Sequence, residues 1–219
     1  MSDKSNKYGY VGVDIPAQSF GANKGVFNPA EINELVADNK WTQYGQLELI
    51  ETQTASGTAT TLDFTSIQES TYNVHFLTIN NLQTDSSAAS FTVTRLSNNG
   101  GSSFISSSYQ RAYMLMVTNG TFTENRTTSI SYLDLTGSTS SSDTGRSANS
   151  YMYFYNLGDS SKYSFTTTHS MGYEDAANGW GHFGSAVYPV AETHNAIRLF
   201  NLNGHNIFVT ASLYGIRYS

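Results

Sequence analysis

The chain has no cysteine, only three prolines in 219 residues, and few ionic side chains, with Asp, Glu, Lys and Arg making up 13% of it. The absence of cysteine excludes a disulfide framework and any thiolate metal site, so stability must come from packing. With so few charges, polarity falls to hydroxyls and amides, and runs of Ser, Thr and Asn accompany 18 Gly and 15 Tyr. That composition suits sheets and loops better than surface helices. The 11 basic residues are scattered and the net charge is −6. Neither feature supplies the clustered cations that nucleic acid or an anionic membrane requires. No window approaches the about 18 consecutive apolar residues of a spanning helix, and the start, MSDKSNKYGYVGVD, carries no apolar targeting segment. The expectation is a soluble protein with no nucleic-acid partner and no membrane insertion.

What is present points to one large all-β domain with an appendage, since 38% hydrophobic and 13% aromatic residues are enough for a sizeable core. Residues 1 to about 24 are polar and aperiodic, yet Tyr8, Tyr10, Val13, Ile15 and Phe20 recur as single anchors. This reads as an extended arm that orders on a surface. GVFNPAEINELVADNKW (Gly25–Trp41) then has the local chemistry of a helix. Asn28 is a good N-cap, Pro29 sits at the first helical position, and Glu31 stands where it completes a capping box. Phe27 and Ile32 fall at the positions of a hydrophobic staple, and Ile32, Leu35 and Val36 form one narrow apolar stripe. About eleven residues is marginal for an isolated helix, so that stripe needs a surface to dock on.

From Leu47 the period changes to two, and ten segments have strand composition: Leu47–Gln53, Thr60–Phe64, Tyr72–Asn80, Ser90–Leu96, Arg111–Val117, Ser129–Leu135, Ser150–Leu157, Lys162–His169, Ala196–Leu202 and Asn206–Ile216. Turn signals lie between them at Ser56-Gly57, Asn98 to Gly101, Asn119-Gly120, Asn156 to Asp159 and Asn203-Gly204. The last of these predicts a hairpin joining Ala196–Leu202 to Asn206–Ile216. The regular spacing favours a sandwich or jelly roll. Gly137–Ser150 reads as a solvated loop, and Met171–Pro189 as a long loop whose aromatics make it a contact surface.

Chemical motifs are scarce. His75, His169, His182, His194 and His205 show no metal-ligand spacing, and there is no nucleophile elbow or phosphate cradle. Neither a metal nor a cofactor is expected. Glu174 and Asp175 are adjacent and near Trp180, but glycan cleavage needs two opposed carboxylates and no motif supplies the second. Tyr151, Tyr153 and Tyr155 alternate on one strand face, either as a binding platform or, more commonly, as the wall of a sheet or a subunit contact.

Taken together, GVFNPAEINELVADNKW, LELIETQTAS, DFTSI, NNGGSSF and the closing ASLYGI resemble virion structural proteins of tailed bacteriophages, especially those of marine and cyanobacterial phages. The likeness runs over nearly the whole chain, and its distinctive parts are the helix-to-Trp41 segment and the terminal LYGI. It implies a β-sandwich body with an N-terminal segment that attaches it to the particle. The combined expectation is an all-β fold, a jelly-roll-like antiparallel β-sandwich preceded by an extended arm and one short α-helix. Residues 1–42 form the docking element and 43–219 the body. The function expected is that of a non-enzymatic, homo-oligomeric virion protein, a capsid-associated decoration or appendage. It would hold other virion proteins through Tyr8, Tyr10, Ile15, Phe20, Phe27, Ile32, Leu35 and Val36. The alternative is a tail-associated module that binds a receptor or host-surface glycan through Tyr173, Trp180, His182 and Phe183. A third possibility is a glycan-cleaving enzyme using Glu174 or Asp175.

Overall fold

A computed structural model describes residues 27, 29–37, 47–139, 145–173 and 178–216. The chain divides into two units, residues 1–44 with 219, and residues 45–218. In the first, α1 (Pro29–Ala37) begins at the proline expected to open it and carries Glu31 in its first turn. No residue of this helix is buried, and Val36 is 54% exposed. The proposed N-cap Asn28, the anchors Tyr8, Tyr10, Ile15 and Phe20, and Trp41 lie outside the described residues, as do Glu174 and Asp175.

Among the described residues the second unit has twelve strands: β1 (Leu47–Ala59), β2 (Thr61–Phe64), β3 (Val74–Thr84), β4 (Ser90–Ser97), β5 (Tyr109–Val117), β6 (Phe122–Ile130), β7 (Leu133–Thr139), β8 (Ala148–Tyr155), β9 (Ser164–Tyr173), β10 (Gly179–Tyr188), β11 (Ala196–Asn201) and β12 (Ile207–Ile216). They form an eight-stranded sheet in the order β1-β12-β3-β8-β9-β10-β5-β6 and a four-stranded sheet in the order β2-β11-β4-β7. Every paired neighbour is antiparallel. Between the sheets lies one apolar core, with Leu77, Ile79, Met152, Phe154, Val209 and Leu213 from the large sheet meeting Leu96, Leu133, Leu135, Ile197 and Leu199 from the small one. The alternation seen in the sequence thus becomes a sandwich-like body, as expected.

Several local expectations are corrected. Met171–Tyr173 and Gly179–Tyr188 are strand rather than loop: Gly172, Gly179, Gly181 and Gly184 sit in β9 and β10, which pair in register from Gly179↔Tyr173 to Tyr188↔Ser164. Glycine there serves close packing rather than turning. The indole of Trp180 lies over Gly137 and Gly172, where an added Cβ would fall 2.8 Å and 2.5 Å from ring carbons. The Asn203-Gly204 turn exists, with Gly204 at φ +74, but it joins strands of different sheets and is not a hairpin. Asn201 organises that corner. Its Oδ1 accepts from the amides of Asn203 (3.0 Å) and His205 (3.2 Å), and its Nδ2 donates to Ser90 Oγ at 2.6 Å. A periodicity argument sees two strands and a turn, but it cannot see that buried side-chain bonds divert the chain.

Ser56-Gly57 is a bulge inside β1, not a turn: Gly57 at φ +84 lies under the Phe208 ring, 2.2 Å from the place a Cβ would occupy. Ser129–Leu135 spans the end of β6 and the start of β7, and β6 itself, FTENRTTSI, has too little apolar alternation to announce a strand. It pairs only as an edge, through the hairpin that Asn119-Gly120 closes, with Val117 N donating to Thr121 O at 2.9 Å. The expected loop Gly137–Ser150 overlaps β7 and β8 at its two ends.

Candidate functional site

Side chains that sequence reasoning grouped as one contact surface are divided by the two-residue period of β10. Phe183 points outward and is 46% exposed, whereas Trp180 (5%) and His182 (2%) face the interior. Tyr173 is exposed on β9. Trp180 and His182 are therefore core residues and offer no surface to a glycan.

The interior holds polar groups in arrangements that superficially suggest catalysis. Ser164 Oγ is 2.8 Å from His194 Nδ1, and Glu192 Oε1 stands 3.4 Å from His194 Nε2 without hydrogen-bond geometry. The order Ser-His-acid is that of a hydrolytic triad, but Ser164 and His194 are both buried, so no external carbonyl reaches Oγ. Burial keeps the His194 imidazole below its ordinary pKa against the pull of Glu192. Similarly, Arg111 on β5 pairs with Asp134 on β7 across the sandwich. Burial raises the Asp134 carboxyl above the usual range, and Arg111 opposes that rise. His75 Nε2 donates to Ile67 O at 2.8 Å, and burial lowers its pKa. These groups tie the sheets and loops together. Among the described residues, no three of His, Asp and Glu converge on a point where a metal could sit.

The distinctive surface is the outer face of the large sheet. The registers place Tyr214 beside Phe76, Phe76 beside Tyr153, Tyr153 beside Thr167, Thr167 beside Ser185, and Ser185 beside Ala112. One step along the strands, Thr78, Tyr151, His169, Phe183 and Met114 form the adjacent row. Rings touch across five strands. Phe76 lies 6.2 Å from Tyr214, 4.6 Å from Tyr153 and 5.9 Å from Tyr151; Tyr151 lies 5.5 Å from His169; and His169 lies 6.2 Å from Phe183. The Tyr151 hydroxyl and His169 Nδ1 are 3.1 Å apart. Phe165, Met171, Tyr173 and Phe208 extend the exposed set.

From β1 to β5 the outward positions include no Asp, Glu, Lys or Arg, and the first charges, Glu124 and Arg126, come on the edge strand β6. The outer face of the small sheet is the opposite case. There Arg198 forks onto Asp63 at 2.7 and 2.6 Å and lies 4.0 Å over the Phe104 ring, while Arg95 covers Phe200 at 4.5 Å. One outer face is built for water. The other presents a contiguous aromatic patch of the kind that marks an interaction site.

This face also has relief. Thr167, Ser185 and Ala112 are small, and the rows on either side carry Phe165 and Val187, or His169, Phe183 and Met114. The result is a shallow depression of about 750 Å³, walled by Phe165 and Val187 and reaching Arg126, Thr127 and Thr128 on β6. Tyr151, Tyr153 and Tyr155 were recognisable from their alternation. Phe165 and His169 fall inside the expected strand Lys162–His169, where the intervening hydroxyl residues hide their row, and Met171 lies beyond its expected end. No family model, no curated protein and no solved structure matches this chain.

Proposed function

We propose that this protein is a non-enzymatic structural component of a tailed-bacteriophage virion, a capsid-associated decoration or appendage anchored by its N-terminal segment and held to its neighbours by the body. The observation that carries this reading is the uncharged aromatic outer face of the large sheet. It has the Tyr, Phe and Met enrichment and the charge depletion of an interface core. Contact is a sufficient function for such a surface, and the buried Ser164 and His194 give no substrate access.

A jelly-roll body belongs to the same proposal. With the hairpins β5–β6 and β9–β10 set aside as insertions, eight strands remain. Counted along the chain, they lie in the orders first-eighth-third-sixth (β1-β12-β3-β8) and second-seventh-fourth-fifth (β2-β11-β4-β7). That order is what rolling up two Greek keys produces, and it supports the jelly roll. Deleting residues 1–24 should abolish incorporation into virions while the body stays folded by circular dichroism. Normal incorporation of the truncated protein would overturn the anchoring role.

A second reading, a tail-associated receptor- or carbohydrate-binding module, is favoured by one feature. The depression beside Phe165 combines a ring, hydroxyls of Thr127, Thr128 and Ser185, and the Arg126 guanidinium. A glycan array comparing wild type with Phe165→Ala and Arg126→Ala tests it, and equal binding profiles would dismiss it.

A further inference from the structure

We infer that the occupant of the aromatic face is a second copy of this chain, stacked sheet to sheet about a two-fold axis. The inference rests on the reading of that face as an interaction surface, and it adds the partner and the register. The first argument is size. Strands lie about 4.8 Å apart and rise about 3.4 Å per residue. From β1 to β10, over the span Phe165 to Tyr173, the patch therefore covers on the order of 650 Å² in projection. A standard interface buries about 800 Å² of accessible surface per partner. The patch thus reaches the lower end of the about 600 to 1,000 Å² per partner that specific interfaces bury.

The second argument is charge. A chain of net charge −6 repels its own copies through most surfaces, but the outward positions from β1 to β5 carry no ionic group. The strand positions of two such faces meet with no like-charge contact, and the Arg146 guanidinium, 5.7 Å over the Tyr173 ring, stands at one end of the patch.

The third argument is shape. An isologous contact requires one patch to be complementary to itself, and this patch pairs a ridge with a neighbouring trough. His169, Phe183 and Met114 form the ridge on β9, β10 and β5, and Thr167, Ser185 and Ala112 form the trough two residues away on the same three strands. A two-fold axis in the plane of the contact, perpendicular to the strands and midway between these rows, exchanges ridge and trough while keeping each strand over its own copy. Phe183 then sits in the hollow at the second copy's Ser185, His169 over Thr167 and Met114 over Ala112. Val187 meets Gly181 and Phe165 meets Met171, a thioether against a ring. On β9, β10 and β5 each bulky side chain near the axis therefore faces a smaller one or a deformable one, and on β8 Tyr151 meets the second copy's Tyr153 ring to ring.

Analytical ultracentrifugation of the full chain tests this, with far-UV circular dichroism and melting used to show that each variant is folded. Wild type is expected to be a dimer at micromolar concentration. Phe183→Lys and Ser185→Phe, both outward-facing, should each raise the dissociation constant about 30-fold or more, the size of an interface hot spot. The double swap Phe183→Ser/Ser185→Phe restores a ridge and a trough in exchanged positions and should recover most of the affinity. Wild type that stays monomeric to 100-fold higher concentration would overturn the proposal, as would an oligomer that neither single variant weakens. Virion incorporation of Phe183→Lys separates the two levels. A monomeric wild type combined with lost incorporation means that the face holds another virion protein, which overturns the second copy but not the structural role. A dimer broken by Phe183→Lys with incorporation unchanged supports the second copy and removes the face from virion attachment.

Discussion

Acid should unfold the body through its buried histidines, His182 above all. Its imidazole is interior and packs 4.5 Å from the Tyr113 ring, and Nδ1 lies 3.5 Å from Ser170 Oγ. Burial, reinforced by the positive charge of Arg111 and by His169, pushes its pKa down to about 4 from an ordinary 6.5. Between those values the unfolded chain holds a proton that the folded chain does not, so stability is complete above pH 6.5 and is lost as the pH falls toward 4. Over the window from pH 7 to 4.5, which stays above the main carboxylate titrations, a shift of that size corresponds to a loss of about 2 to 3 kcal/mol. His75 and His194 are lowered for the same reason and act with the same sign. Urea unfolding followed by tryptophan fluorescence at half-unit pH steps measures this, since Trp180 is buried beside the region that opens. His182→Gln removes the titrating ring and should flatten the slope by about 2 kcal/mol, leaving the part due to the other two. A wild-type stability independent of pH over this window, or a His182→Gln slope equal to that of wild type, would refute the assignment.

Trp180→Ala empties the space between Gly137 and Gly172 and should cost about 3 to 5 kcal/mol of unfolding free energy. Phe183→Ala, three residues on but outward, should change stability by less than about 0.5 kcal/mol when both proteins are measured at nanomolar concentration, where dimerisation does not contribute. Urea midpoints compare the two, and equal losses would show that the inward and outward assignments are wrong. Asp134→Ala leaves Arg111 buried without its partner and should cost about 3 to 5 kcal/mol. The double replacement Arg111→Met/Asp134→Leu should recover most of that, because an apolar pair replaces an ion pair at little net cost. Thermal melts of the two variants beside wild type decide it, and a single variant as stable as the double would remove the pair from the core.

The strands that could be read from the sequence were those whose own alternation is strong, such as Val74–Thr84 and Ala148–Tyr155. Their alternation also identified the Tyr151, Tyr153 and Tyr155 face. Three kinds of information were not local. Asn201 bonds to Ser90, 111 residues away in sequence, so a turn that reads as a hairpin becomes a crossing between sheets. Trp180 needs glycines from two other strands beneath it, and in a one-dimensional reading those glycines signal a loop. Finally, β6 is exposed on most of its length. Its Thr, Glu, Asn and Arg suit an edge strand that must resist pairing with other chains, and they carry no hydrophobic period.

The strand β9 shows most clearly why an aromatic residue need not mark the inside. Its inward residues are Ser164, Thr166, Thr168 and Ser170, and its outward ones are Phe165, Thr167, His169, Met171 and Tyr173. Simple amphipathic logic would turn the strand over, but two features fix its orientation. Opposite it lies β7, whose pairing with β4 slips between Phe91 and Val93, so the Leu135 carbonyl lies within this irregular stretch. Thr168 Oγ1 donates to that carbonyl at 3.2 Å, and Ser150 Oγ donates to it from β8 at 3.0 Å. A buried carbonyl without donors would cost about 1 to 3 kcal/mol, and phenylalanine or methionine in place of these hydroxyls would leave it so. Small hydroxyl residues also give β7 the room to pack across β8, β9 and β10. The inner face of β9 is therefore chosen by the backbone it must satisfy, and the apolar residues displaced to the outer face are left exposed there. The same local irregularity that closes the sandwich thus decides which side chains the outer face presents.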